Sequence, residues 1–250
     1  MISKRTRLLL TCASFVALVL VWCILTYGGF VKPFFLSSPS DVFRGFHTLF
    51  FLQDFTNDII ASIRRITLGF LASAAFAIPI GIVMGRSALA DALLTPVTSF
   101  IRYLPVPALL PFCILWLGIG ETEKIMVVFI GVFFQLVLLI ADIARHVPHD
   151  LVEVALAFGA SRRGILVKVV VPYCMPQIHD SLRVTMGWAW GWVMLAELVG
   201  ANSGIGFMIL KSQRYLLNAN MICGLLTVGV LGVFTDSLFR LAGRVVFRWR

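Results

Sequence analysis

Six long apolar runs, separated by short polar breaks, constrain this 250-residue chain more than any other feature. They cover about 8–29, 66–84, 93–117, 125–143, 182–199 and 221–241. An α-helix needs about 20 apolar residues to cross the hydrocarbon core of a bilayer, and each run is close to that length. In hydrocarbon every backbone N–H and C=O has to be paired inside its own segment, which a helix does and an open strand does not. Composition agrees: 60% of the residues are hydrophobic and 13% are charged, where soluble domains carry about a quarter charged. The fold class that follows is an all-α membrane protein with about six transmembrane helices.

The first run follows Lys4, Arg5 and Arg7. It is longer than a signal-peptide core and lacks a small-x-small cleavage site before Gly28, so it reads as an uncleaved spanning helix. The third contains Pro105, Pro107 and Pro111. Neighbouring helices can satisfy the carbonyls that proline frees, so this run is expected to be a kinked helix buried among others. The stretch 39–65, with Val42, Phe43, Phe46 and Phe50, reads as an amphipathic helix along the outer interface.

Net charge is +9, but the basic residues form no stripe interleaved with exposed aromatics, so no nucleic-acid partner is expected. They flank the apolar runs instead. Lys4, Arg5 and Arg7, then Arg86, then Arg145, Arg162, Arg163 and Lys168, then Arg240, Arg244, Arg248 and Arg250 all fall on one side of a six-helix chain. The positive-inside rule makes that side, and both termini, cytoplasmic. Lys32, Arg44, Arg64 and Arg65 fall on the other side and weaken the bias. Gly81 and Gly85, like Gly229 and Gly232, suit close helix packing in lipid. The five cysteines contain no C-x-x-C pair and read as packing residues.

The cytoplasmic loop 146–176 carries the most information. Asp150 followed by Glu153 has the form of a helix start. Leu151, Val154, Ala155 and Phe158 then recur at helical spacing as a short apolar stripe. Gly159 ends this helix, Ser161 caps a second through Arg162–Leu166, and Pro172 breaks the chain. An apolar stripe in water either packs back on its own helices or takes a partner. On these residues alone both readings stand.

The run from Glu153 through Ala155, Gly159 and Ala160 to Pro172 resembles the EAA loop of binding-protein-dependent ABC transporter permeases, type I importers. That pattern is E-A-A, three residues, G, nine residues, I-x-L-P; here Val154, Val169 and Val171 replace Ala, Ile and Leu. The likeness extends over about 54–240. It includes Arg102-Tyr-Leu-Pro105 through Gly120 and Ala196-Glu197-Leu-Val-Gly200-Ala-Asn-Ser203-Gly204-Ile-Gly206, as in the taurine, nitrate, sulfonate and bicarbonate branch. The resemblance implies a multi-pass subunit of the bacterial cytoplasmic membrane, paired with a second permease copy. It also implies a cytoplasmic ABC ATPase dimer at the loop and an extracytoplasmic solute-binding protein on the other side. ATP and Mg would be bound by the ATPase, since this chain has no G-x-x-x-x-G-K-[ST] loop and no cofactor is expected on it. Segment 1–53 would hold the first helix and the interfacial stretch, 54–241 the transmembrane domain and 242–250 a basic tail.

The site residues expected for coupling are Glu153, Ala155, Phe158, Gly159, Ala160 and Pro172. For the solute path or outer gate they are Arg102, Glu197, Gly200, Ser203 and Gly204. A carboxylate within the membrane region is costly and faces a cavity, a partner or water. Arg102, the nearest comparable cation in the third run, either pairs with Glu197 or faces an anionic solute. Trp188, Trp190 and Trp192 alternate and are expected to serve packing or interface anchoring, and His146-Val-Pro-His149 is a poor metal motif. A secondary transporter would show two repeated halves, and a channel or intramembrane enzyme a polar filter or paired buried catalytic groups. The sequence shows none of these.

Overall fold

The computed structural model describes residues 3–248, so Arg250 of the basic tail lies outside the described residues. The order is α1 (Lys4–Tyr27), α2 (Pro39–Leu52), α3 (Phe55–Arg86), α4 (Ala88–Arg102), α5 (Val106–Leu117), α6 (Glu121–Arg145), α7 (His149–Ala157), α8 (Arg162–Ile165), α9 (Val171–Leu198), α10 (Ile205–Arg214) and α11 (Asn218–Val246). A π-helical turn, Leu166–Val170, joins α8 to α9.

Four of these helices are long and apolar enough to cross a membrane: α1 over Leu9–Tyr27, α3, α6 and α11. The pair α4 and α5, bent by 98°, makes a fifth if counted as one span. At 28 residues α9 has the length, but it carries Asp180, Arg183 and Glu197 and is not among the four.

The pair α3 and α6, running parallel, is the centre of the molecule, with α9 packed against both. Glycines set its closeness. A Cβ at Gly81 would stand 2.7 Å from Ile140 Cβ, and one at Gly85 2.4 Å from the Ala141 carbonyl oxygen. Gly69 makes the same approach to Val128, nearer the start of both helices. Gly85→Val is therefore expected to cost about 1–3 kcal/mol by overpacking, read as a fall of about 5 °C in the thermal midpoint of the detergent-solubilised chain. An unchanged midpoint would rule out this contact as a packing determinant. Gly229 and Gly232 differ: among the described residues nothing lies within 4 Å of a Cβ there.

The third run is two helices rather than one kinked helix. Pro105 and Pro107 lack N–H groups, and Leu104, preceding Pro105, is steered away from helical ψ. Nor is this pair enclosed, since Phe100, Leu115 and Trp116 are all at least two-thirds exposed. The amphipathic stretch 39–65 also divides. Asp54 adopts a left-handed φ of 49°, and α3 starts at Phe55, well ahead of its apolar run. Asp58, Ser62, Arg64 and Arg65 in its first three turns have partners inside the protein, so hydropathy alone places them outside the helix.

Pro172 does not break the chain. It sits in the first turn of α9, and the π turn before it carries the helix through from α8, with the Val171 N–H donating to the Leu166 carbonyl. The wider turn accommodates a residue that has no N–H to donate.

Candidate functional site

At one end of α9, a buried ionic cluster joins four helices. Glu197 is fully buried. Its Oε1 accepts from Arg65 Nη1 at 2.8 Å and from Ser62 Oγ at 2.7 Å, and its Oε2 accepts from the Gly206 N–H at 2.9 Å. Arg65 also donates from Nη1 to the Ser203 carbonyl at 2.7 Å and from Nη2 to Ser203 Oγ at 3.1 Å. Its Nε and Nη2 grip the two carboxylate oxygens of Glu121, the first residue of α6. All five guanidinium donors are thus engaged, and none is left for a solute. Arg64 adds a further bond to Glu121, at 2.7 Å.

The connection from α9 to α10 is moulded onto this cluster. Ser62 Oγ accepts from the Ile205 N–H at 2.9 Å, and Asp58 accepts from the Gly204 N–H at 2.7 Å. Gly204 has φ of +117°, and a Cβ there would lie 2.4 Å from Glu197 Cδ. Only glycine fits, both for conformation and for space. Gly200, at φ +67°, turns the chain out of α9 beside Ile119 without touching the cluster. Glu197, Ser203 and Gly204 therefore assemble, and the cation that pairs with Glu197 is Arg65 rather than Arg102. Two of the four basic residues that weakened the charge asymmetry, Arg64 and Arg65, are neutralised here.

Arg102 lies elsewhere. It stands at the elbow between α4 and α5, on a cavity of about 410 Å³ closed by Gly131, Phe134 and Gln135 of α6 and by Trp188 and Trp192 of α9. Its Nη2 donates to the Tyr103 hydroxyl at 3.1 Å and its Nη1 to Gln135 Oε1 at 3.4 Å, with the guanidinium 4.8 Å from the Tyr103 ring centroid. Among the described residues no carboxylate pairs with it. Gln135 falls near the midpoint of α6 and Trp188 well inside α9, so the cavity sits at mid-depth of the bundle. A cation without a counter-ion, beside amide and indole groups in such a cavity, is suited to an anion. Trp188 and Trp192 share a helix face at i, i+4; only Trp190, buried and bonded to Thr235, is turned away.

The loop residues form a third feature. Gly159 has φ of +76° with open space where a Cβ would be, so its backbone conformation alone calls for glycine. The Ala160 N–H returns to the Ala155 carbonyl at 3.0 Å and closes the end of α7. Ser161 caps α8 through the Gly164 N–H at 3.1 Å. The start of α7 differs from the capping-box expectation: Pro148 occupies the cap position without a side-chain bond, and Glu153 faces His149 at 3.5 Å. The stripe also divides. Val152, Ala155 and Ala160 pack onto the core, whereas Leu151, Val154 and Phe158 face away, Phe158 being 87% exposed.

Sequence reasoning missed Arg65, Ser62, Asp58 and Glu121. A usable signal existed: Asp58 and Arg65 are two turns apart on one face of a helix that runs into an apolar stretch. That spacing reads as intramembrane charge once α3 is begun at Phe55. Among the described residues no group of three or more His, Cys, Asp or Glu could hold a metal.

Residues 77–248 match the family of binding-protein-dependent transport system inner membrane components. A probable ABC transporter permease protein of Brucella abortus is 35% identical over 248 residues, covering 99% of this chain and 98% of its own length. The taurine transport system permease protein of Escherichia coli is 29% identical over 245 residues, covering 96% and 89%. A nitrate import permease protein of Leptolyngbya laminosa is 28% identical over 217 residues, covering 86% and 74%. A chain of the MetNI methionine ABC transporter, solved facing inward, shares the fold at a TM-score of 0.66 and 21% identity, over 77% of this chain and 94% of its own. The span matched by the family takes in α7, the Arg102 cavity and Glu197 together. The chain belongs to the family of binding-protein-dependent ABC transporter permeases, non-catalytic inner-membrane subunits, within the branch whose relatives serve taurine and nitrate transport.

Proposed function

We propose that this chain is the permease of an importer for a small anionic solute, with α7 as the element that receives the stroke of a separate ATPase. The observation that carries the reading is the divided face of α7. One side is anchored to the core by Val152 and Ala155, and the other leaves Leu151, Val154 and Phe158 uncovered. A helix of nine residues held at its base, with an aromatic presented at its tip, is built to push or be pushed. Burying that edge in a partner groove gains about 25 cal/mol per Å².

In this reading the termini and α7 lie on the cytoplasmic side, and a solute-binding protein delivers from the opposite face. A second permease copy, identical or homologous, completes the path. The unit 54–241 is the transmembrane domain, preceded by the helix and interfacial stretch of 1–53 and followed by the tail 242–250. The Glu197 cluster, with Gly200, Ser203 and Gly204, braces the outer end of the path rather than touching solute, because Arg65 has no donor to spare. Arg102 is the solute-facing cation, supported by its lack of a counter-ion and by the anionic groups of taurine and nitrate, the solutes for which two relatives are named.

The test is reconstitution in proteoliposomes with the cognate ATPase and binding protein. Solute-loaded binding protein is expected to raise ATP hydrolysis and drive uptake. Arg102→Gln is expected to raise the half-saturating anion concentration about tenfold, the size of one charge-assisted hydrogen bond, without loss of ATPase association. Unchanged concentration dependence would remove Arg102 from the path, and uptake without any ATPase would overturn the reading as a whole.

A further inference from the structure

Where α9 and α11 approach each other, at the end of the molecule away from the Glu197 cluster, lies a cavity of about 320 Å³ that shares no lining residue with the Arg102 cavity. Arg183, Arg240 and Arg244 line it, with His179 and Asp180. Asp236 pairs with Arg183, and with Arg240 at 2.8 Å. Its single charge is therefore shared between two arginines, and among the described residues Arg244 makes no ion pair. His179 contributes a buried Nε2 without a hydrogen-bond partner. Its ring is wedged between Phe239 and Phe247, at 5.6 and 5.5 Å. Gly243 permits this wedge, since a Cβ there would stand 2.9 Å from His179 Cε1.

Three arginines and one carboxylate, Asp180, thus line the pocket, with Asp236 paired to two of the arginines from outside its lining. Immediately outside it, α11 exposes Leu241, Val245 and Val246, each more than half uncovered. The pocket sits where a helix read as spanning gives out, with cations at the rim and apolar surface alongside. Basic pockets between transmembrane helices at the membrane surface suit phosphate-bearing headgroups, and the guanidinium fork matches phosphate oxygens in pairs.

We propose that this pocket binds a phosphate group, with Arg240 and Arg244 as its principal ligands. The phosphate can come from an anionic lipid headgroup, whose acyl chains would run along Leu241 and Val245, or from a free anion in solution. The site is separate from the Arg102 cavity, and its occupancy does not depend on which solute the importer carries.

The test uses the permease purified with its ATPase. One arm places it in nanodiscs of phosphatidylcholine with increasing phosphatidylglycerol and counts retained lipid by native mass spectrometry. The other titrates inorganic phosphate into the detergent-solubilised complex and follows the thermal midpoint. Arg240→Gln with Arg244→Gln is the variant, and both the Arg183–Asp236 pair and the helix packing survive it. Each arginine near a charged surface is worth about fivefold in binding. The double variant should therefore lose about 25-fold in phosphatidylglycerol retention if the source is lipid, or in phosphate-dependent stabilisation if it is free anion. The charge-conserving pair, Arg240→Lys with Arg244→Lys, should recover most of the loss. Retention and stabilisation equal in the native complex and the glutamine variant would overturn the proposal, and so would no response of the native complex in either arm.

Discussion

Glu197→Ala is expected to be the most damaging single change in the membrane-embedded part of this chain. It leaves the Arg65 guanidinium, 1% exposed, bonded to Ser203 and Glu121 with its innermost counter-ion gone. Removing one member of a buried pair typically costs about 3–5 kcal/mol. Glu121 still compensates Arg65 from the other side, so the cost here comes from the Arg65 Nη1, Ser62 and Gly206 donors that lose their acceptor together with the lost charge pair. The loss also frees the Gly206 N–H and loosens the connection that Gly204 presses against the carboxylate. The expected result is a fall of about 10 °C or more in thermal midpoint, at about 2–4 °C per kcal/mol for a chain of this size, with poor recovery from detergent. Replacing both partners, Arg65→Met with Glu197→Leu, should restore more than half of the loss, since no charge of the pair is then left uncompensated. Strict additivity of the two single changes would refute a coupled pair, and a Glu197→Ala midpoint within about 2 °C of the native chain would refute the clasp itself.

The second large effect concerns Phe158. Most buried aromatics stabilise their own chain, but this one is 87% exposed, so its removal should leave this chain folded and inserted. If Phe158 is the tip of the coupling helix, it fills a pocket on the ATPase, and truncating such an anchor costs about 2–4 kcal/mol of association. Phe158→Ser is then expected to weaken ATPase association about 30-fold or more and to abolish uptake, while the thermal midpoint of the isolated permease stays unchanged. Uptake at the native rate by this variant would dismiss α7 as the coupling element. A fall in midpoint would show instead that Phe158 packs within its own subunit.

Much of the membrane architecture was legible in the sequence because hydrophobic length is a one-dimensional property. Runs such as 125–143 and 221–241 became α6 and α11 with a few residues added at each end. The turn at Gly159 and the cap at Ser161 were legible for a related reason, since both depend on local backbone chemistry. The helix start at Phe55, the 98° elbow after Arg102 and the passage of α9 through Pro172 were not. Each depends on where freed or charged groups find partners, and those partners come from distant segments.

The charged groups show the division most clearly. From the sequence, Glu197 and Arg102 were the conspicuous pair, being isolated charges near apolar runs. In the folded chain Glu197 takes Arg65, 132 residues away, and Arg102 is left beside Gln135 and two tryptophans. By itself the sequence determined that this chain lies in a membrane as helices, and that one hydrophilic break carries a short helix ending in a left-handed glycine. It could do so because helix length, periodicity and glycine conformation act between near neighbours. Only the tertiary structure decided which charge is buried with which, which face of α7 is left bare and where a cation stands without a counter-ion. Coulomb energy and desolvation depend on distance in space, and distance along the chain does not supply it.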